Sequence, residues 1–582
     1  MTNHRTTSRI FAICLLSVIL LVAATAFGDA GDGDQPNSKP AEGFHADVEV
    51  HTQTVLAQNR GLGWPDWVVI GLYGSFMIGV GWFYSRRQTS TEEYFLGSRR
   101  MKPFAIGISM FATLLSTISY LATPGEMIKH GPVVLSGLLA APIIFGVVGY
   151  VLIPFLVKLR ISSAYEILDN RLGVQVRLLG SVIFILTRLV WMALLIYLAA
   201  KAMVAMLGWS ASTIPYVVLV AGLVAVVYTV LGGLRAVVIT DVFQFFILMG
   251  GALLTIIFVS VKVGGLGAWW PTEWAQNWDD QPFFSWDPFV RATVVGAIVA
   301  NFTWWTCTAG SDQVVIQRYL ATRDAVAARR SFLINICADS VVGVLLAIVG
   351  FAILGFFRTN PQCLPEGGSL IEGADYLFPH YIANYLPVGV AGLVVAAMFA
   401  AAMSSLDSGI NSIVSVVTND FILRFRKATG TERHVVKLAK YLVLGIGITI
   451  VLISSMIGKV PGNIVEVTTK TNGLFVGPLF GLFFMALFVP FANQLGAFFG
   501  ALYGFVAAAI VGYWDVMTGT PALSFQLVII SSVVVHIVIG SLISLLSRLW
   551  KTRLGMIVWS LLATAPLAVI VTMLVQCWTS QP

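Results

Sequence analysis

The sequence predicts an all-α polytopic membrane protein with about fourteen transmembrane helices, and three observations carry that prediction. Of 582 residues, 57% are hydrophobic and only 11% charged, with a mean hydropathy of +0.86; a soluble chain of this length would need far more polar surface. The apolar runs last about 20 residues each, the length a helix needs to cross a bilayer and more than a barrel strand uses. The 35 lysines and arginines behind the net charge of +7 fall mostly in short segments between those runs. That pattern reflects membrane topology, so the bilayer is the expected partner and nucleic acid is not.

Residues 1–26 read as a cleavable signal peptide: Arg5 and Arg9 precede an apolar run from Ile10 to Leu21, and Ala24, Thr25 and Ala26 supply a small-x-small cleavage pattern. Residues 27–63, rich in Gly, Asp, Pro and Gln, read as an exported flexible linker. Membrane spans are then expected near 65–84, 103–129, 132–157, 174–206, 211–231, 236–262, 289–310, 331–357, 387–420, 437–457, 463–490, 494–513, 524–547 and 554–577.

With the first of these running outside to inside, the inner loops carry 23 Lys and Arg against seven outside. The excess orients the chain as an inner-membrane protein with both mature termini on the periplasmic side. The outer loop from Gly264 to Pro288 holds Trp269, Trp270, Trp274, Trp278 and Trp286, residues that commonly anchor at the lipid interface.

The ninth span carries the least ordinary pattern, AAMFAAAMSSLDSGINSIVSVVTND from Ala396 to Asp420. Ala401, Ser404, Ser405, Ser408, Asn411, Ser412 and Ser415 share one helical face. Small residues let membrane helices approach closely and hydroxyls bond across the gap. Asp407 in the same turn adds an ionisable group at membrane depth, which marks an ion or solute path. Oxygen ligands of this kind suit a hard cation.

Other chemistries lack support. The five cysteines form no CxxC pair, no GxxxxGK[ST] or HExxH occurs, and the seven histidines are scattered. Neither ATP-driven pumping, structural zinc nor a membrane enzyme is indicated.

Several segments resemble the sodium:solute symporter family, over most of the chain from Thr89 to about Gly504. STEEYFLGSRRM precedes the second span and SSAYEILDNRLG follows the third. YTVLGGLRAVVITDVFQ leads into the sixth and SDQVVIQRYLA follows the seventh. The ninth span resembles the family's sodium-site helix. LATPGEMIKHG, NFTWWTCTAGSDQVVIQRY and GPLFGLFFMALFVPFANQLGA resemble the branch that carries monocarboxylates, vitamins and inorganic anions more than the sugar carriers, whose Asn and Gln are replaced here by Leu114 and Ser119.

The resemblance implies a LeuT-like core of two inverted five-helix repeats, about 103–262 and 289–490, within a transporter domain spanning 64–582. It implies a sodium ion at the carbonyls of Ala112, Leu115 and Ala401 and the hydroxyls of Ser404 and Ser405. A second cation or a proton is expected at Asp241, Asp407 and Ser408, with Asp407 standing where the family usually has Ser or Thr. That carboxylate strengthens a cation site, takes a proton, or pairs with a Lys or Arg.

Ser119, Tyr120, Asn301, Trp304 and Trp305 are the expected solute wall, with Trp191 beside them. Arg188 and Lys470 are intramembrane cations able to face an anion; Asp169 and Glu466 are their expected structural partners. The expected function is sodium-coupled import of a small organic or anionic solute by alternating access, with sodium as the coupling ion and no obligate protein partner. A proton-coupled symporter, a sugar or inositol symporter and a membrane solute sensor are the alternatives.

Overall fold

The computed structural model describes residues 61–85, 91–159, 161, 163–365, 369–425, 432–457 and 464–547. The leader, nearly all of the 27–63 segment and the span expected at 554–577 lie outside the described residues. Among the described residues the chain is helical throughout, with no strand. Ten helices are long and apolar enough to cross a membrane, or eleven if one sharply bent pair counts as a single span.

Helix α1 (Trp64–Ser85) lies at the periphery, with most of its surface turned outward. The bent pair is α2 (Pro103–Leu114) and α3 (Thr117–Lys129), which meet at 66°. The α4 segment (Pro132–Lys158) mixes tight and wide turns. Its π turn at Val148–Leu152 stands just before Pro154, which lacks the amide hydrogen a regular turn would use. Helix α5 (Val174–Leu207) is long and largely buried.

The expected fifth and sixth spans run on as one rod, Ile214–Val263, broken at Gly233. There φ is +59° and ψ 176°, a backbone conformation open to glycine and strained for other residues. The break divides α6 (214–232) from α7 (Gly233–Val263).

Helices α8 (Val294–Ser311) and α9 (Gln313–Leu320) follow the tryptophan-rich loop. Helix α8 lies where the seventh span was expected, but Asn301, Trp304, Trp305 and its four threonines and serines leave it less apolar than its neighbours. The chain continues through α10 (Ala325–Thr359), the short α11 (Ala374–Tyr385), α12 (Val390–Val416), α13 (Glu432–Met456), α14 (Ile464–Phe488), α15 (Gln494–Gly512) and α16 (Leu527–Leu546).

Helix α12 is the centre of the bundle, packed against α1, α2, α5 and α7. Every residue from Val394 to Val416 is buried. Its Ala, Gly and Ser content allows that close approach on all sides, beyond the single face that the polar stripe marks. Close approach recurs where α10 crosses α3: a side chain at Gly350 would collide with the backbone of Pro124. Helices α14, α15 and α16 pack mainly on one another through a satellite core around Phe475, Phe505 and Val528.

Two helices are interrupted in the same way. Leu115 ends α2 with φ −75° and ψ 122°, and Asp312 ends α8 with φ −81° and ψ 122°. In each case an extended residue releases backbone carbonyls from helical pairing deep in the bundle.

Candidate functional site

The break after α2 and the hydroxyl stripe of α12 face each other. The last carbonyls of α2 have no helical partner, and the α12 serines reach them. Ser404 Oγ donates to Ala112 O at 2.5 Å and lies 3.3 Å from Ala401 O in its own helix. Ser405 Oγ donates to Thr113 O at 2.8 Å and lies 3.3 Å from Leu115 O. The five expected sodium ligands thus converge, and the Thr113 carbonyl joins them. Ser404 is wholly buried and Ser405 nearly so. Such a set of neutral oxygens can replace part of a hydration shell while leaving the ion free to depart. Below the break, Thr117 Oγ1 donates to Met398 O at 3.1 Å and ties α3 to the same helix.

One turn further along α12, Asp241, Asp407 and Ser408 gather around a cation that the sequence reading passed over. Arg318, on α9, is fully buried. Its guanidinium donates to Ser408 Oγ at 2.5 Å, Thr113 Oγ1 at 2.5 Å, Ser109 Oγ at 3.0 Å and Val314 O at 3.0 Å. It also pairs with Asp241 at 3.3 Å. Ser109 Oγ donates to Asp241 at 2.5 Å, and Ser408 Oγ to Asp407 at 3.3 Å. The two acids bring two negative charges and Arg318 one positive. Asp241 Oδ1 remains buried with no hydrogen-bond partner among the described residues.

On the far side of the break lies a cavity of about 350 Å³, a size suited to a small solute. Ser119, Asn301, Trp304, Trp305 and Trp191 line it, as does Leu115 beside the sodium-ligand set. Tyr120 does not. It points about 100° around α3 from Ser119, is fully buried, and packs against Phe378 at 5.6 Å.

The two intramembrane cations also fall elsewhere. Arg188 pairs with Asp312 at the second helix break, while Asp169, its expected partner, is held by Arg177 at 3.2 Å and Arg424 at 2.6 Å. Glu466 pairs with Arg291 at 2.6 Å and not with Lys470. Lys470 leans toward Gly512, off the face that Val465, Thr468, Thr469 and Asn472 present to the cavity.

Polar networks close the two ends. Near the tryptophan loop, Arg291 grips both oxygens of Glu126, at 2.8 and 3.0 Å, while holding Glu466. His130 contacts Asp279 at 2.9 Å beside them. At the opposite end, Asp420 accepts from Arg177 at 2.6 Å, Ser163 at 2.8 Å and Ser181 at 2.7 Å. Gln317 accepts from Ser412 at 2.8 Å and donates to Phe95 O at 2.6 Å. These contacts explain the loop segments of the sequence resemblance: SSAYEILDNRLG and SDQVVIQRYLA supply Ser163, Asp169, Gln317 and Arg318.

Arg318 was visible in sequence as a charge just after an apolar span. Asp339, which also lines the cavity, was visible as an acid inside one. Neither lies on a patterned stripe, and periodicity does not single them out.

A model of the sodium:solute symporter family matches residues 94–504. The chain is 31% identical over 471 residues to a sodium/sialic acid symporter of Proteus mirabilis, covering 78% of this chain and 91% of that protein. It is 29% identical over 491 residues to a sodium-dependent multivitamin transporter of Oryctolagus cuniculus, covering 84% and 74%. It is 29% identical over 471 residues to sodium-coupled monocarboxylate transporter 1 of Homo sapiens, covering 78% and 74%. A solved structure of a Na+-coupled sialic acid symporter, substrate-bound and outward-open, superposes with a TM-score of 0.71 at 28% identity, covering 83% of this chain and 98% of that one.

Proposed function

Because this chain belongs to the sodium:solute symporter family, whose relatives here are Na+-coupled transporters, we propose that it imports a small organic solute across the inner membrane by sodium-driven alternating access. The observation that carries the reading is the meeting of Ser404 and Ser405 with the freed carbonyls of Ala112, Thr113 and Leu115. Sodium would bind there in place of those hydrogen bonds, the serine hydroxyls turning their lone pairs to the ion. The site adjoins the solute cavity at Leu115, so an ion that fixes the break also shapes the cavity wall. Each sodium entering gains about 2.3 kcal/mol per 100 mV of membrane potential before any concentration term.

The proposed core consists of two inverted five-helix units, about 103–262 and 289–490, in a domain of fourteen spans covering 64–582. Matching interruptions at Leu115 and Asp312, early in each unit, support that division. The basic loops support an orientation with both termini periplasmic, residues 1–26 being removed as a leader and 27–63 exported as a linker.

A second coupling cation, sodium or a proton, is proposed at Asp241, Asp407 and Ser408. Two carboxylates and one guanidinium meet there at membrane depth, and the orphaned Asp241 Oδ1 offers a lone pair to a cation.

The test is uptake of labelled solutes into proteoliposomes under an inward sodium gradient and then under an equal proton gradient. Sodium-only accumulation supports the reading. Accumulation driven by protons alone would transfer the coupling role to Asp241 and Asp407.

A further inference from the structure

The charges around the solute cavity are of one sign. Among the described residues, none of those lining it is Lys, Arg or His, and two, Glu126 and Asp339, are acids. Glu126 shares the single guanidinium of Arg291 with Glu466. Of the cations at membrane depth, Arg188 pairs with Asp312, Arg318 with Asp241, Lys201 lies over the ring of Tyr376 at 5.2 Å, and Lys470 leans toward Gly512, outside the cavity lining.

Asp339 lies inside the α10 span, where an ionised side chain is kept for a purpose. It lines the cavity together with Trp305. Trp304 and Trp191 line the same cavity, and the Trp304 and Trp305 rings meet edge to face at 5.0 Å. A carboxylate and three indoles lining a cavity with no basic side chain suit a positively charged nitrogen: the acid neutralises it and the electron-rich rings replace its water. An anion in the same place would face like charge with no cation to receive it.

We propose that Asp339 is the charge-recognising residue of the cavity, and that the transported solute carries a positively charged nitrogen, alone or within a zwitterion, held by Asp339 and the indoles of Trp191 and Trp304. This rests on the symport reading above and reverses the anion preference that the sequence resemblance implies.

The experiment is sodium-driven uptake into proteoliposomes of labelled choline, glycine betaine and proline against butyrate, N-acetylneuraminate and glucose, by the wild type and by Asp339→Asn and Asp339→Glu. The expected result is accumulation of a nitrogen cation or zwitterion whose apparent affinity falls roughly 30-fold or more in Asp339→Asn, with substantial recovery in Asp339→Glu. Sodium-dependent quenching of tryptophan fluorescence should persist in both variants, which separates solute recognition from loss of fold or of the sodium site. Accumulation of an anion or a neutral sugar, unchanged in Asp339→Asn, would overturn the proposal and leave sodium symport standing. Sodium-independent behaviour toward every solute would overturn the symport reading, and this proposal with it.

Discussion

The Ser404 hydroxyl and the Ala112 carbonyl, 292 positions apart in the chain, meet at 2.5 Å across the break between α2 and α3. A helix end normally finds its partners locally or in water. Here the partner is a second helix, so the break is stable only while α12 stays beside it, and an ion placed between them would lock the two together.

Replacing Ser404 and Ser405 together with Ala should therefore abolish sodium-dependent uptake while the protein still reaches the membrane. Each single replacement should raise the sodium concentration for half-maximal uptake about tenfold, the loss of one oxygen ligand. Sodium titrations of uptake in proteoliposomes read this directly, and an unchanged sodium dependence in the double variant would place the ion elsewhere.

Arg318→Gln should be among the most damaging single changes, because it leaves Asp241 without its ion-pair partner at zero exposure. Breaking such a buried pair costs about 3–5 kcal/mol. Thermal unfolding of the detergent-solubilised protein should show a large drop, and adding Asp241→Asn to Arg318→Gln should recover part of it. No recovery would mean that Arg318 serves Val314, Ser109 and Thr113 more than the acid.

Asp407→Ser removes one carboxylate from that cluster and should remove the second coupling cation with it. Charge moved per solute, measured electrically in supported proteoliposome membranes, should fall by one, while solute affinity at saturating sodium holds. A ratio equal to that of the wild type would show that Asp407 is balanced within the protein.

Asp66 on α1 accepts hydrogen bonds from Gly389 N and Gly392 N at 2.7 Å each, and from Gly63 N at 2.9 Å. It caps the first turn of α12 from another helix and places a negative charge at the positive end of its dipole. Asp66→Ala should cost about 1–2 kcal/mol of stability, with Asp66→Asn milder. Melting curves of the purified protein decide it, and equal losses for both variants would contradict the charge contribution.

The tryptophan-rich loop should loosen in acid. Burial by itself raises the Asp279 carboxyl, but hydrogen bonding to His130 and the charges of His130, Arg291 and Lys129 outweigh it and leave its pKa below the usual carboxylate value. A group depressed in this way stabilises the fold above its unfolded pKa, about 4. That contribution is lost as the pH falls through the lower folded value. Emission from Trp274 and Trp278, which meet edge to face at 4.9 Å next to Asp279, should shift in that acid range, and Asp279→Asn should flatten the shift.

The sequence by itself determined the helical membrane class and the family, and it marked the polar face of α12. Each of these is written in local pattern: run length sets a span, and a 3.6-residue stripe brings Ala401, Ser404 and Ser405 to one face whatever surrounds them. Tyr120 shows the limit of that logic, because it adjoins Ser119 in the chain yet points about 100° around the helix, into packing against Phe378. Tertiary structure alone decided which charge meets which. Arg318 reaches Asp241 across 77 residues and Ser408 across 90, Arg188 took Asp312 over Asp169, and Glu466 took Arg291 over its intrahelical neighbour Lys470. A charge pairs with whatever opposite charge the fold brings within a few ångströms in a low-dielectric interior, and that proximity is a property of helix packing that spacing along the chain does not contain.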